Sequence, residues 1–272
     1  MLDGALGSVI APTELGELEA FRSILAGEPQ LEVEGALCTC LEATPGSAMF
    51  NRALGVGLAQ SATEAGLDEI DAFFSDRGLA YGIPLTPDAQ PPELPAMLGA
   101  RGFRRGYAWT KFSHPAERPP QQAEDLRVEE LGADRADVFA DVFSRAYGTP
   151  DVVRPKLERL PGSAGWCCFA AFDGQKPAAT GALFVTGSVG WLGAAGTLPE
   201  RRRRGAQNAL LAARIAAGIA VGCTTLVTET GEPVGGKPGG SYRNLVRAGF
   251  EPRYVRQNYL SSQEADTSGT RA

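Results

Sequence analysis

Four consecutive arginines, Arg201 to Arg204, run directly into Gly205 and the alanine-rich stretch AQNALLAARIAAGIA. The apolar run ending near Leu198 reads as a strand, Pro199-Glu200 opens a loop, and the alanine-rich stretch reads as a helix from about Gly205 to Val221. First-turn N–H groups of a helix lack internal partners and carry about half a unit of positive charge, so together they can hold a pyrophosphate. Gly205, without a Cβ, permits close approach there. An arginine run is equally the mark of a solvated face or a nucleic-acid patch, and that reading stands beside the first. The segment GTLPERRRRGAQ has neither the Gly-x-Gly-x-x-Gly of a dinucleotide fold nor the Gly-Lys-Ser/Thr of a nucleotide phosphate loop. The glycine-rich GEPVGGKPGGSY, Gly231 to Tyr242, contains a lysine but precedes a short helix, and it reads as a surface loop.

Metal chemistry has little to stand on. His114 is the only histidine, beside a proline, and no Cys-x-x-Cys occurs. Cys38, Cys40, Cys167 and Cys168 fall in apolar runs that read as buried strands, so all five cysteines are expected to be packing residues without a disulfide framework. No run approaches the roughly 20 apolar residues of a membrane span, and no basic segment precedes an apolar one near the start, so the expected location is the cytoplasm. A net charge of -6 gives no global attraction to nucleic acid or anionic lipid.

The elements that position these groups fall into two halves, and 272 residues suit two domains that each bury a core. The proline-rich SHPAERPPQQAED, Ser113 to Asp125, reads as a linker between domains at 1–115 and 126–262, and 263–272 as a flexible tail. In the second half, strands are expected from Leu126, Trp166, Ala178, Gly190, Thr224 and Arg253. Helices are expected over 134–147, 155–160, 205–221 and 240–248, with a hairpin turn at Asp173-Gly174. The result is a mixed α/β (α+β) domain. The first half carries a helix at Leu67 to Phe74 and a strand at Leu79 to Leu85. Its end, LGARGFRRGYAWTKF from Leu98, echoes LVRAGFEPRYVRQNY from Leu245 at a constant offset of 147. Each copy reads as a helix end, a Gly-Phe turn and a strand, which is the pattern of a tandem duplication.

The order strand, Pro-Glu turn, Arg202-Arg203-Arg204-Gly205-Ala206-Gln207, helix, strand TTLVTET, helix and Gly-Phe resembles the GNAT acetyltransferase superfamily over about Gly190 to Tyr259. Its pyrophosphate loop reads Gln/Arg-x-x-Gly-x-Gly/Ala; Arg202 and Gly205 match, and Gln207 departs from the small residue. The resemblance implies two tandem GNAT-like domains, each a mixed, mostly antiparallel twisted sheet flanked by helices, with acetyl-CoA (coenzyme A) as co-substrate and no metal. It implies that backbone N–H groups of Arg203, Arg204, Gly205, Ala206, Gln207 and Asn208 hold the pyrophosphate. Ala195, Gly196 and Thr197 would pair with the pantetheine arm, Asn244 would contact it, and a backbone N–H near Thr197 would polarise the carbonyl.

In the family's reaction an amine attacks the thioester directly in a ternary complex and coenzyme A leaves as a thiolate. The strand GWLGAAGT offers no carboxylate as base, and Glu229, where the resembling sheet splays, is the candidate. The family's tyrosine acid is replaced by Leu245, which leaves Ser241 and Tyr242 on a similar helical face as candidate donors. For each of these, ion-paired, capping or core roles remain the alternative. The first half has GLAQSATEAGLDEI at the corresponding loop, with Glu64, Asp68 and Glu69 near the helix start. Carboxylates there repel a pyrophosphate, so no coenzyme A is expected in this half. The expected activity is N-acetyl transfer to a small-molecule or peptide amine, without nucleic-acid or membrane partners. A non-catalytic coenzyme A sensor is the alternative, and homodimer formation stays open.

Overall fold

The computed structural model describes residues 3–118, 126–233 and 235–261, without the side chains of 3–11. In chain order the elements are α1 (Asp3–Ile24), β1 (Gln30–Val33), β2 (Ala36–Thr39), β3 (Arg52–Leu54), α2 (Glu64–Ser75), β4 (Gly82–Leu85), α3 (Leu94–Ala100) and β5 (Arg104–His114). They continue with β6 (Arg127–Leu131), α4 (Ala136–Tyr147), α5 (Arg154–Glu158), β7 (Trp166–Asp173), β8 (Lys176–Thr186) and β9 (Val189–Thr197). The last are α6 (Ala206–Ala220), β10 (Thr225–Gly231), α7 (Gly240–Arg247) and β11 (Glu251–Leu260). The expected tail at 263–272 and residues 119–125 of the expected linker lie outside the described residues. Ser113 and His114, read as linker, belong to β5. His114 is buried, accepts a hydrogen bond from the Ala116 N–H at 3.0 Å and packs on Phe250, which pushes its pKa down through burial.

The chain forms two compact units. The first is built from 3–111, 230–233, 235–237 and 253–261 of the described residues, and the second from 112–118, 126–229 and 238–252. β11, the last strand, therefore completes the first unit, which a division in chain order does not anticipate.

In the first unit the strand order is β1-β2-β3-β4-β11-β5, with β1/β2, β2/β3 and β4/β11 antiparallel and β3 parallel to β4. α2 presents Leu67, Ile70, Phe73 and Phe74 at helical spacing to a core that includes Cys38, Tyr81 and Leu98, each such burial worth about 1.5–3 kcal/mol. α1 was not evident in the sequence, because Pro12 interrupts it and its buried face carries Glu14 and Glu17. Those carboxylates are satisfied by a buried network. Glu17 meets Arg52 at 3.0 Å, Lys111 at 2.7 Å and Arg256 at 2.5 Å, while Glu14 meets Arg256 at 2.5 Å and accepts from the Tyr254 hydroxyl at 2.6 Å. Burial acts to raise the Glu17 pKa, but Arg256, Lys111 and Arg52 outweigh it and hold the group well below the carboxylate range.

In the second unit β6, β7, β8 and β9 form an antiparallel meander, and β10 lies parallel to β9. The run WCCFAAFD is apolar at successive positions because both of its faces are covered. Ala179 and Leu183 face Leu210, Leu211 and Ile215 of α6. A Cβ on Gly196, which pairs with Thr180 on the other face, would meet Ala146 and Tyr147 of α4. α4 and α6 thus cover opposite faces of the meander.

The expected duplication is visible in hydrogen bonds. Phe103 N–H donates to Leu98 C=O at 3.0 Å and Phe250 N–H to Leu245 C=O at 3.0 Å, each across a left-handed glycine, Gly102 at φ 85° and Gly249 at φ 91°.

Candidate functional site

β9 carries the site's backbone. Thr180 pairs with Gly196 but Ala182 pairs with Gly193, so β9 holds one extra residue against β8, and Ala194 takes a left-handed φ of 44° to accommodate it. On its other edge β9 pairs with β10 only from Val189 to Trp191. Beyond Trp191 the two parallel strands part, and the segment through Thr197 leaves the ladder with β10. Thr228 Oγ1 bridges the start of the gap by donating to Leu192 C=O at 2.7 Å. An extended ligand with amide groups can take the place of the missing strand partner.

The segment ends at the mouth of α6. Residues Pro199–Arg201 make a single helical turn, Arg203 has φ 64°, and Gly205 caps α6 at φ 83°. No side chain caps this 15-residue helix, and a Cβ on Gly205 would meet nothing within 4 Å. The first N–H to find an acceptor inside the helix is that of Ala209, to Gly205 C=O at 3.1 Å. The amides of Ala206, Gln207 and Asn208 therefore face outward at the positive end of the helix dipole, the arrangement that suits a phosphate. Gln207, the departure from the loop pattern, turns its side chain back to donate to Thr197 Oγ1 at 2.8 Å, which ties the helix mouth to the end of β9. Arg201 and Arg204 both reach Asp173 in the β7–β8 turn at 2.7 Å.

Glu229 lies beside the parting strands. Trp191 Nε1 donates to both of its carboxylate oxygens, at 3.3 and 3.2 Å. The Trp191 indole lies over Gly193, where any Cβ would collide with the ring, and it packs edge-on to Trp166. The structure thus brings Glu229 to the strand that bears Ala195, Gly196 and Thr197. α7 is placed differently. Tyr242 packs its ring edge-on against Phe112 at 4.9 Å, and Asn244 accepts a hydrogen bond from Arg247 at 3.2 Å. Ser241 is exposed in the first turn, and Leu245 is buried in the core.

Two residues missing from the sequence reading border the extra residue of β9. Tyr147, the last residue of α4, donates its hydroxyl to Ala195 C=O at 2.5 Å, with Gly196 leaving room for its ring. Burial pushes the Tyr147 phenol above its ordinary range, with Arg202 and then Arg214 pulling the other way. Arg214 approaches from α6, 2% exposed, and donates to Leu210 C=O at 3.1 Å and Ala182 C=O at 3.4 Å. Burial lowers its pKa to about 10, with Tyr147 acting against that shift. Gly181 is the space it occupies. A tyrosine at a helix end and an arginine in an alanine-rich helix carry no motif, and they approach the irregular stretch from opposite faces of the sheet.

Among the described residues no group of histidine, cysteine and carboxylate side chains could hold a metal ion, and no helix is long and apolar enough to cross a membrane.

No family model and no curated protein matches this sequence. Solved structures do. A GCN5-related N-acetyltransferase from Kribbella flavida is similar over 92% of this chain and 95% of its own, at 17% identity and a TM-score of 0.67. A functionally unknown conserved protein from Staphylococcus epidermidis matches over 89% and 96%, at 12% identity and a TM-score of 0.61. A tandem GNAT protein from the clavulanic acid biosynthesis pathway matches over 75% and 70%, at 15% identity and a TM-score of 0.53. The fold is that of the GNAT acetyltransferases, in the tandem arrangement. Identities this low show the fold alone.

Proposed function

We propose that the second unit binds acetyl-CoA along β9 and at the mouth of α6, and transfers the acetyl group to a primary amine. The observation that carries this reading is the continuity of the two features: an unpaired strand edge from Leu192 to Thr197 leads directly to an uncapped helix N-terminus opened by Gly205. Amides from Arg203 to Asn208 would hold the pyrophosphate, Ala195 to Thr197 the pantetheine arm, and the bound thioester supplies the activated acyl group. Glu229, oriented by the Trp191 indole, accepts a proton from the incoming ammonium, directly or through water. The cluster Arg201 to Arg204 is less suited to nucleic acid, since Arg201 and Arg204 already share Asp173.

The first unit, on this reading, binds no coenzyme A. Its corresponding helix, α2, is capped by Thr63, whose hydroxyl accepts from Gly66 N–H at 3.0 Å. Glu34 lays a carboxylate over the same turn, accepting from Thr63 N–H at 3.0 Å and from its hydroxyl at 2.6 Å. A Cβ on Gly66 would strike that carboxylate, so an internal anion fills the place of an external one.

Thermal stabilisation of the intact protein by acetyl-CoA, followed by thiol release with a panel of amines, tests the reading. Stabilisation with amine-dependent release supports it. Stabilisation without release for any amine assigns a coenzyme A sensor, and neither effect rejects the site.

A further inference from the structure

The unpaired edge of β9 has a closed end. Pairing with β10 stops at Trp191 and Val227, and one step further the Thr228 hydroxyl crosses to Leu192 C=O at 2.7 Å. One face of this end is covered by the Trp191 indole. Its ring folds forward along β9 over Gly193, where any side chain would collide with it, and its Nε1 reaches Glu229 on β10. The indole therefore bridges the two strands just beyond the point where their ladder stops. It is also held from behind. Trp166, Phe184 and Trp191 are cross-strand neighbours on β7, β8 and β9, and the Trp166 ring lies 4.9 Å from Phe184 and 6.4 Å from Trp191, centroid to centroid. Trp191 is 4% exposed, so the ring is a packed wall rather than a loose surface group.

We propose that the Trp191 indole, seated over Gly193, limits the acyl group of the donor to a short chain, acetyl or propionyl. This rests on the functional reading above. With the pyrophosphate at the mouth of α6 and the pantetheine arm over Thr197 to Ala195, the thioester follows toward Gly193, and its acyl group points down the edge into the closed end. An acetyl group needs room for one methyl beyond the carbonyl. Each further methylene meets the indole on one face and the bond from Thr228 to Leu192 between the strands. The indole is the part of this wall that a substitution can remove. Behind it stand the rings of Trp166 and Phe184, so its removal opens a space lined by hydrocarbon, where each methylene buried raises affinity about fourfold. Gly193 belongs to the same device, because any larger residue there would push the ring off the strand.

Equilibrium binding tests this without relying on turnover, which also depends on the contact between Trp191 and Glu229. The intact wild type, Trp191→Phe and Trp191→Ala are each titrated with acetyl-, propionyl-, butyryl- and hexanoyl-CoA. Wild type should bind acetyl- and propionyl-CoA within about fourfold of each other, and hexanoyl-CoA at least about tenfold more weakly than acetyl-CoA. Trp191→Ala should reverse the order and bind hexanoyl-CoA at least as tightly as acetyl-CoA. Trp191→Phe keeps a smaller ring over Gly193 and should bring butyryl-CoA to the affinity of acetyl-CoA while still disfavouring hexanoyl-CoA. Should Trp191→Ala fail to fold, the phenylalanine variant carries the test. Wild type that binds all four donors equally overturns the proposal, and so do folded variants that keep the wild-type order. In both cases acetyl-CoA still binds, and the functional reading survives the loss. Wild-type protein that binds none of the four rejects the functional reading and the proposal together.

Discussion

The two units treat buried charge in opposite ways. In the first, the buried cations gather on an internal anion: Arg256, Arg52 and Lys111 surround Glu17, and Glu34 closes the N-terminal turn of α2. In the second, Arg214 lies buried among carbonyls and α6 begins on an uncapped glycine. Internal ion pairing marks a unit built for stability, whereas a helix mouth left without a cap suits one that takes a ligand.

The sharpest way to break this contrast is to exchange the fates of the two buried arginines. Arg256→Ala leaves Glu14 and Glu17 with less than their full set of cations, and unfolding in denaturant should show a loss of about 3–5 kcal/mol, as for a broken buried pair. Arg214→Met removes a cation without orphaning a carboxylate, so the same measurement should find stability unchanged or raised. Equal large losses would mean that Arg214 is as well compensated as Arg256, and the contrast fails.

Gly205→Asp makes the mouth of α6 resemble that of α2. An aspartate there presents a carboxylate to the amides of α6, and stabilisation by acetyl-CoA at a hundred times its wild-type Kd, about 2.7 kcal/mol, should vanish. Glu34→Gln is the converse change. It should lower stability by about 1 kcal/mol through weakened hydrogen bonds to Thr63, without disturbing acetyl-CoA binding. A smaller effect is expected from Asp173→Asn. Freed from their shared partner, Arg201 and Arg204 should tighten acetyl-CoA binding a few-fold at low salt, and the gain should shrink as salt rises.

The pH dependence has a definite sign. Because Glu17 is held well below its unfolded pKa, its contribution is present above the ordinary carboxylate range and is lost as pH falls through the depressed value. Glu17→Gln should therefore flatten the acid limb of the stability profile. An unchanged limb would place the acid sensitivity elsewhere.

Much of the second unit was legible because its elements are local. The meander from Trp166, the hairpin at Asp173-Gly174 and the helix after Gly205 follow from periodicity and punctuation within short windows. The duplication was legible for the same reason, since Gly102-Phe103 and Gly249-Phe250 encode one helix ending twice. What escaped was long-range. Glu14 and Glu17 on a buried helix face contradict any hydrophobic pattern until Arg256, 239 positions beyond Glu17, is brought beside them. Tyr147 and Arg214 looked like ordinary helix residues, because the strand irregularity at Ala194 that they border depends on pairing with β8. Glu229 was picked from its place on a strand, but its orientation by Trp191 comes from a contact across the parting strands.

β11 also sets a timetable for synthesis. The first unit needs residues 253–261 to fill the slot between β4 and β5 and to bring Arg256 to α1. Ribosomes add about 5–20 residues per second, so β5 waits roughly 7 to 28 seconds for that strand, and α1 longer, while the intervening chain is made. During that interval Glu14 and Glu17 lack their arginine from β11, and an open β4 edge is exposed to other chains. The half of the molecule translated first is thus the half completed last, and it is the one for which a nascent-chain chaperone has most to shield.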